Sequence, residues 1–204
     1  MFTPHQFGFL PGRSTLQQLL LFINDILNSK NNNMTADVIY LDFKKAFDTV
    51  SHAKLLDKLQ YYGITGMLLQ WYTAYLTSRL QYVRVNNSSS DVTPVLSGVP
   101  QGSILDPLLF ALFINDLPSC LHFSKPYIYA DDTKCMRSSA RSVNFEPYPL
   151  QCDLNNLLTW NNNSELHFND TKFAYISFWS ESHTTGTYYI NGRPISSVDK
   201  IFHL

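Results

Sequence analysis

The stretch Pro126-Tyr127-Ile128-Tyr129-Ala130-Asp131-Asp132-Thr133-Lys134-Cys135-Met136-Arg137 is the starting point for predicting the fold of this chain. Two largely apolar runs, 126–130 and 133–137, flank the paired acids Asp131 and Asp132. The pattern predicts two strands joined by a tight turn that carries both carboxylates. Because neighbouring side chains on a strand point to opposite faces, Asp132 is expected to be peripheral if Asp131 faces a bound ion, unless the turn rotates it.

Further strands and helices surround this hairpin in irregular order. The apolar run 38–41 predicts a buried strand that ends at Asp42, and Ser14 with Gln17 fits a capping box that opens a helix. Helices are expected over 15–27, 53–62, 67–77, 103–117 and 150–160, and strands over 82–85, 93–96, 173–178 and 188–190. This irregular alternation favours an α+β fold over a doubly wound sheet.

Composition bounds the class of protein. The chain has 204 residues, 45% of them hydrophobic and 14% aromatic, and a formal net charge of −1. These values predict one folded domain with a substantial core and exclude disorder for most of the chain. The near-neutral charge excludes a protein that binds nucleic acid by charge alone. Three cysteines without CxxC spacing imply neither a disulfide framework nor a zinc site, and the longest apolar run, 108–114, is too short to span a bilayer.

Three acids stand where a fold can aim them at one point. Asp42 closes a predicted strand, and Asp131 and Asp132 lie in a strand-flanked turn. Mg²⁺ takes oxygen ligands, usually one or two protein carboxylates together with substrate phosphates. Two such ions about 3.5–4 Å apart can hold the attacking and the leaving oxygen of a phosphoryl displacement. The acids are therefore candidate metal ligands, although single carboxylates are more often solvated.

Five motifs in this chain resemble, in the same order, those of reverse transcriptases. The quoted stretch contains YADD at 129–132, which resembles the Y-x-D-D box, and DFKKAFD at 42–48 resembles the first aspartate motif. The other three matches are SGVPQGSIL at 97–105, QFGF with GRS within 6–14, and Leu154-Asn155, Trp160 and NDTK at 169–172. The match covers nearly the whole chain and is most similar to the polymerases of non-LTR (LINE-type) retrotransposons.

The resemblance implies a right-hand polymerase palm with part of the fingers, built as an antiparallel sheet with helices packed on one face. It implies an RNA-directed DNA polymerase that adds nucleotides to a primer 3′-OH with two Mg²⁺ ions, for which Mn²⁺ can substitute. The implied partners are an RNA template, a DNA primer and deoxynucleoside triphosphates, within a larger retrotransposon polyprotein of the nucleus and cytoplasm. Residues 1–204 would form a partial reverse transcriptase domain without the start of the fingers and the thumb.

Residue roles follow from the same resemblance. Asp42, Asp131 and Asp132 would be catalytic and would hold the metal ions, and Lys172 would protonate the pyrophosphate leaving group. The residues implied at the incoming nucleotide are Phe43, Lys44, Lys45, Ala46, Phe47, Gln101, Gly102, Tyr129 and Ala130. The residues implied at template or primer are Gly12, Arg13 and Ser103.

Ordinary structural roles stay open for several of these residues. Phe47 would exclude the 2′-OH of a ribonucleotide, or it would be a core ring at a helix start. Lys44, Lys45 and Lys172 could be solvated surface lysines. Arg13 could simply precede a capped helix, and Ser103 is a good N-cap.

Asp106 stands where the family usually has glycine. In a first helical turn an acid favours the helix dipole, but an anion near a phosphate path is repulsive, and a left-handed backbone here would add strain. Two alternatives to an active polymerase therefore stay open: a catalytically inert retrotransposon relic, and a domesticated module that binds nucleic acid or protein. RNA-templated RNA synthesis uses the same acids, and a bulky Phe47 argues against it.

Overall fold

The computed structural model describes residues 2–140, 148–179 and 187–198. The helices are α1 (Thr15–Asn31), α2 (His52–Tyr61), α3 (Gly66–Leu76), α4 (Asp106–Phe113) and α5 (Tyr148–Ser164), with 3₁₀ turns over Leu117–Cys120 and Asp170–Lys172. The strands are β1 (Met34–Leu41), β2 (Leu80–Gln81), β3 (Arg84–Val85), β4 (Ser88–Ser89), β5 (Thr93–Pro94), β6 (Lys125–Tyr129), β7 (Asp132–Ala140), β8 (Ala174–Phe178), β9 (Tyr189–Ile190), β10 (Arg193–Pro194) and β11 (Ser196–Ser197). The predicted α+β class is confirmed. None of the helices in these ranges combines the length and apolarity needed to cross a bilayer.

A five-stranded sheet in the order β11-β8-β1-β7-β6 forms the centre of the fold. β1 pairs antiparallel with β7 along its whole length, from Met34 opposite Ala140 to Leu41 opposite Thr133. β8 pairs antiparallel with the other side of β1, and β6 and β7 form the predicted hairpin. The edge strand β11 is parallel to β8, an exception to the antiparallel sheet that the family resemblance implied.

Helices cover both faces of this sheet, so the expectation that they pack on one face is wrong. Ile39, Ile128 and Cys135 belong to the larger core, which α2, α3, α4 and α5 share. On the opposite face, Phe22 of α1 packs in a second cluster with Val38. Val38 and Ile39 are both fully buried, and alternate residues of a strand face opposite ways, so both faces need cover.

The first helix begins where the sequence predicts and ends four residues later. Oγ of Ser14 accepts the N–H of Gln17 at 3.2 Å, and Oε1 of Gln17 accepts the N–H of Ser14 at 2.9 Å, which confirms the capping box. α1 then runs to Asn31, where the polar tract ends it: Asn33 adopts a left-handed φ of 54°. The added turn lets α1 reach the far end of β7, where Ser29 contacts Ser138 at 2.6 Å.

The fourth helix begins at Asp106, three residues after its predicted start, and ends at Phe113. Gly102, with a φ of 84°, lies outside the helical region, and Pro107 occupies the first turn, where its missing N–H costs nothing. The N-cap is Leu105, so the N-cap role predicted for Ser103 is wrong. Oγ of Ser103 still accepts the N–H of Asp106, at 3.0 Å.

A single strand over 82–85 is also a wrong prediction. β2 pairs with β5, and β3 pairs separately with β4, as two exposed two-residue pairs. Asn86 has a left-handed φ of 52°, and this conformation suits the tight turn that folds β3 back on β4. The segment therefore breaks into two short hairpin pairs instead of one strand.

Candidate active site

Asp42 and the pair Asp131-Asp132 meet at one edge of the central sheet. Asp42 directly follows β1, Asp131 lies in the turn between β6 and β7, and Asp132 is the first residue of β7. β1 and β7 pair in register to the point where β1 ends and β7 begins. The acids that follow β1 and precede β7 therefore lie close together. Asp42 and Asp132 line the same cleft of about 340 Å³, together with Tyr129 and Lys172.

The environment of Asp131 disfavours the charged form of its carboxylate. Burial raises its pKa, and the negative charges of Asp132 and Asp42 raise it further, against a backbone hydrogen bond that lowers it. Asp132 is exposed, whereas Asp131 is half-buried. The turn therefore gives the two neighbouring acids different surroundings, and Asp131 is the more buried of the two.

Asp42 carries an oxygen without a hydrogen-bond donor. Among the described residues, its buried Oδ2 accepts no hydrogen bond, although Nζ of Lys172 lies 3.5 Å away as an ion pair. Nε2 of Gln18 and the hydroxyl of Tyr40 are also buried without partners and line the same cleft, and burial raises the pKa of Tyr40 to about 12. Across residues 2–140, 148–179 and 187–198, no three His, Cys, Asp or Glu side chains stand close enough to bind one metal ion.

Main-chain pairing fixes the position of Lys172. The N–H of Lys44 donates to the carbonyl of His167 at 2.8 Å, and the N–H of Asn169 donates to the carbonyl of Asp42 at 2.8 Å. These two bonds join the loop after β1 to the loop that ends in the 3₁₀ turn of Lys172. The Lys172 side chain itself is mostly exposed, so its ammonium can move.

An aromatic group lies beside the acidic turn. Phe47 stacks on Phe110 with ring centroids 4.3 Å apart, and Phe9 contacts Phe47 edge-on at 6.2 Å and Tyr129 at 6.5 Å. Phe47 is half-buried and lies in a turn, while the next helix begins at His52. Phe47 therefore does not lie at the start of a helix, and that part of the alternative is wrong. The contact with Phe110 shows that one side of the ring is packed.

The loop 97–102 packs on the turn that follows Phe47. Nε2 of Gln101 donates to Oδ1 of Asp48 at 2.6 Å, and the N–H of Val99 donates to the carbonyl of Phe47 at 2.9 Å. Gly98 has a φ of 89°, and a Cβ on it would lie 2.8 Å from the carbonyl oxygen of Asp48, so only glycine fits. Gln101 lines a separate cleft of about 540 Å³ that shares no residue with the acidic cleft.

Other predicted nucleotide residues differ in exposure. Phe43 is buried and stacks on Phe168 at 4.8 Å, and Ala46 and Ala130 are also buried. Lys44, Lys45 and Gly102 are exposed. Only the backbone of the buried residues can therefore face a ligand without repacking.

None of the three residues predicted at template or primer lines the acidic cleft, although Thr15, two residues after Arg13, does. The guanidinium of Arg13 donates to the carbonyls of Thr3, at 2.8 Å, and of Gln6, so it anchors the N-terminal segment. Gly12 is exposed with a φ of 71°. Ser103 lies before α4.

Asp106 is buried at the start of α4, and its Oδ1 has no hydrogen-bond partner. Burial raises the pKa of this carboxyl and the charge of Asp48 adds to the shift, although a backbone hydrogen bond from Gly102 opposes it. The φ of Asp106 is not positive, so the backbone strain considered for this position does not occur.

Gln6 and Gly8 contact the acidic turn, and no role was predicted for either. The side-chain amide of Gln6 hydrogen-bonds the backbone of Ala130, and Gly8 packs against the same residue. The QFGF motif at 6–9 was the available signal, but a sequence motif does not show which backbone its glutamine meets.

Comparison with known proteins identifies the family. Residues 1–190 match the family model described as reverse transcriptase (RNA-dependent DNA polymerase). A probable RNA-directed DNA polymerase from transposon BS of Drosophila melanogaster is 35% identical over 76% of the chain, and the polymerase from mobile element jockey of the same species is 30% identical over 93%. The chain spans only 18% and 21% of the length of these two relatives.

Solved structures show the same fold at low sequence identity. Telomerase from Candida tropicalis superposes with a TM-score of 0.64, at 14% identity, over 94% of this chain and 32% of that one. Telomerase from Candida albicans gives a TM-score of 0.62 at 10% identity. With the acidic turn, the ordered motifs and these matches together, the chain belongs to the reverse transcriptase family, among the polymerases of non-LTR retrotransposons.

Proposed function

We propose that the chain is the polymerising core of an RNA-directed DNA polymerase. The primer 3′-oxygen attacks the α-phosphorus of a deoxynucleoside triphosphate opposite an RNA template, and pyrophosphate leaves. The observation that carries the proposal is that Asp42 and Asp132 line one cleft, with Asp131 close enough to feel both charges, in a chain of this family.

The three acids are the proposed ligands of two Mg²⁺ ions, with Mn²⁺ as a substitute. Their hard oxygens fit these cations. Oδ2 of Asp42 is buried without a donor among the described residues. Burial raises the pKa of Asp131, and the charges of Asp132 and Asp42 add to the shift, a repulsion that a cation relieves. When bound, the ions would stabilise charge on the attacking and leaving oxygens. Each ion would need only one or two of these carboxylates, because Mg²⁺ takes its other ligands from substrate phosphates and water.

Lys172 is the proposed proton donor to pyrophosphate. Its ammonium lies 3.5 Å from Asp42 and is mostly exposed, so it can reach a ligand in the acidic cleft. A lysine suits this role because the same group neutralises charge that grows on the leaving oxygens. The ion pair holds the ammonium beside the acids until a substrate phosphate competes for it.

Phe47 is the proposed sugar gate. Its stack on Phe110 holds the ring, and Phe9 lies between it and Tyr129 at the acidic turn. A fixed ring can exclude a 2′-OH sterically, whereas a mobile side chain would yield. The backbone of the loops around it would shape the nucleotide pocket, with these residues as the proposed lining: Phe43, Lys44, Lys45, Ala46, Gln101, Gly102, Tyr129 and Ala130. Gly12, Arg13 and Ser103 stay proposed template or primer contacts, although Arg13 is already bonded to main-chain carbonyls.

A larger polyprotein is the proposed context. The relatives named above are about five times longer than the segment they share with this chain. Residues 1–204 would then supply the acids and the nucleotide pocket of the polymerase. The remaining contacts with template and primer would come from other parts of such a protein.

The proposal is tested by extension of a DNA primer on matched RNA and DNA templates, with deoxy- and ribonucleoside triphosphates supplied separately. We expect deoxynucleotide addition on RNA in Mg²⁺, lost with EDTA and in Asp42→Asn. Asp57→Asn, which changes an exposed acid on α2, is the matched control and should extend like the wild type. Preference for ribonucleotides would indicate RNA synthesis. No extension by a folded chain that binds primer–template would favour the inert relic or the binding module.

A further inference from the structure

The turn that carries Asp131 is held from outside the hairpin by the N-terminal segment 5–9. The N–H of Phe7 donates to the carbonyl of Ile128 at 2.8 Å, and the N–H of Ile128 donates to the carbonyl of His5 at 3.0 Å. These bonds form a parallel bridge between Gln6 and Ile128. The segment thus lies alongside the end of β6, next to the turn.

The side chain of Gln6 hydrogen-bonds the backbone of the turn, as a neighbouring strand would. Oε1 of Gln6 accepts the N–H of Ala130 at 3.0 Å, and Nε2 of Gln6 donates to the carbonyl of Ala130 at 3.3 Å. Oε1 also accepts the N–H of Gly8 at 2.8 Å. Gln6 is almost fully buried. Its side-chain amide therefore satisfies both main-chain polar groups of the residue that precedes Asp131.

Ala130 needs such support because of its backbone. Its φ of 55° lies in the left-handed region, which costs a residue with a Cβ about 1 kcal/mol or more. The turn is also the last point of the hairpin, where Tyr129 and Asp132 form the final pair. This left-handed residue lies directly before Asp131 in the turn.

Gly8 makes the approach possible. A Cβ on Gly8 would lie 2.3 Å from the backbone nitrogen of Ala130. The φ of Gly8 is not positive, so alanine could adopt its backbone conformation; the close contacts of a Cβ with Ala130 and with Oε1 of Gln6 forbid it. The segment and the turn are therefore matched by shape as well as by hydrogen bonds.

We propose that Gln6 and Gly8 are positioning residues, which set the orientation of Asp131 through the backbone of Ala130. Asp131 then keeps one side-chain rotamer before any ligand arrives. The catalytic consequence rests on the proposed function, because it assigns Asp131 to the reaction. The orientation itself is a property of the folded chain and can be measured without substrate or metal.

The test measures the three-bond couplings from Asp131 Cγ to its backbone nitrogen and carbonyl carbon by NMR, in the metal-free full chain. We expect couplings of a single rotamer in the wild type and rotamer-averaged couplings in Gln6→Met, with faster amide exchange at Ala130. Gln151→Met is the matched control. Gln151 makes the same pair of bonds to the backbone of Tyr189, each 2.8 Å, far along the chain on α5.

Two further variants keep the proposal testable if Gln6→Met is unstable. Gln6→Glu keeps the acceptor for Ala130 and Gly8 but loses the donor, and should give partial averaging. Gly8→Ala keeps the Gln6 side chain but presses on Ala130 and on Oε1 of Gln6, and should average the Asp131 couplings as well. Single-rotamer couplings in folded Gln6→Glu and Gly8→Ala, or averaging in Gln151→Met to the same extent, would overturn the proposal.

Primer extension separates this proposal from the proposed function. If the wild type extends primers, Gln6→Met should lower the rate of nucleotide addition about tenfold, because two hydrogen bonds that hold the turn are lost. The KM for nucleotide should change little. An equal loss in Gln151→Met would indicate general destabilisation and contradict the positioning role. If the wild type does not extend primers, the proposed function fails, while the couplings still decide the positioning role.

Discussion

Asp106→Asn tests whether burial or the helix dipole dominates at the start of α4. The carboxylate lies in the first turn of a helix, where a negative charge gains about 0.3–1 kcal/mol, and it receives a backbone hydrogen bond from Gly102. Against this, Oδ1 is buried without a partner, and such an atom costs about 1–3 kcal/mol, or more when charged. Because the pKa of Asp106 is raised, burial outweighs the favourable interactions.

The expected result is that Asp106→Asn stabilises the protein at neutral pH by about 1 kcal/mol, since asparagine keeps the shape and removes the buried charge. In a domain of this size, that corresponds to about 2–4 °C in Tm. The sign with pH follows from linkage. The folded state holds the Asp106 proton at pH values where the unfolded state has released it, so wild-type stability falls as pH rises from the ordinary aspartate pKa through the raised one.

Urea unfolding of both proteins between pH 4 and pH 8 measures this effect. The difference in free energy of unfolding should be small at pH 4, grow as pH rises, and level off once Asp106 is ionised in the folded state. A wild type that is the more stable protein at pH 8, or a difference that does not change with pH, would refute the reasoning. Asp57→Asn, on an exposed acid, should show no such trend.

Three further predictions follow from local contacts. Phe47→Ala should raise incorporation of ribonucleotides relative to deoxynucleotides in competitive primer extension; unchanged sugar selectivity would remove the gate. Asp153→Ala should cost about 3 kcal/mol or more in urea unfolding, because this fully buried carboxylate accepts three main-chain N–H groups and one hydroxyl; a loss under 1 kcal/mol would contradict it. Gly98→Ala should cost about 1–3 kcal/mol and more than Gly63→Ala, which has the same left-handed backbone but open space around it; equal losses would mean that contact with Asp48 contributes nothing.

Local sequence patterns predict the elements that carry the acids. The apolar runs on both sides of Asp131 and Asp132 are sufficient for a hairpin, and the run before Asp42 is sufficient for a strand that ends there. The capping box at Ser14 is likewise a contact between neighbours in sequence. In each case the pattern that predicts the element lies within a few residues of it, although β1 is completed by pairing with the distant strands β7 and β8.

Contacts between distant segments could not be predicted in this way. Gln6 and Ala130 are 124 positions apart, and nothing in either local sequence identifies the other. The packing of α1 on the second face of the sheet has the same origin, because the burial of Val38 and Ile39 shows that cover is needed but not which helix supplies it. For Asp106 the residue type raised the question of strain, and only the backbone angle answered it.

The central claim is that Asp131 belongs to a metal-dependent polymerising centre. The most direct measurement is the rate of single-nucleotide addition to a DNA primer on an RNA template, as a function of Mg²⁺ concentration, for wild type, Asp131→Asn and Asp57→Asn. The account predicts Mg²⁺-dependent addition by the wild type and the control, and a loss on the order of 10³-fold in Asp131→Asn. Comparable rates in all three proteins, or addition that does not depend on Mg²⁺, would contradict it.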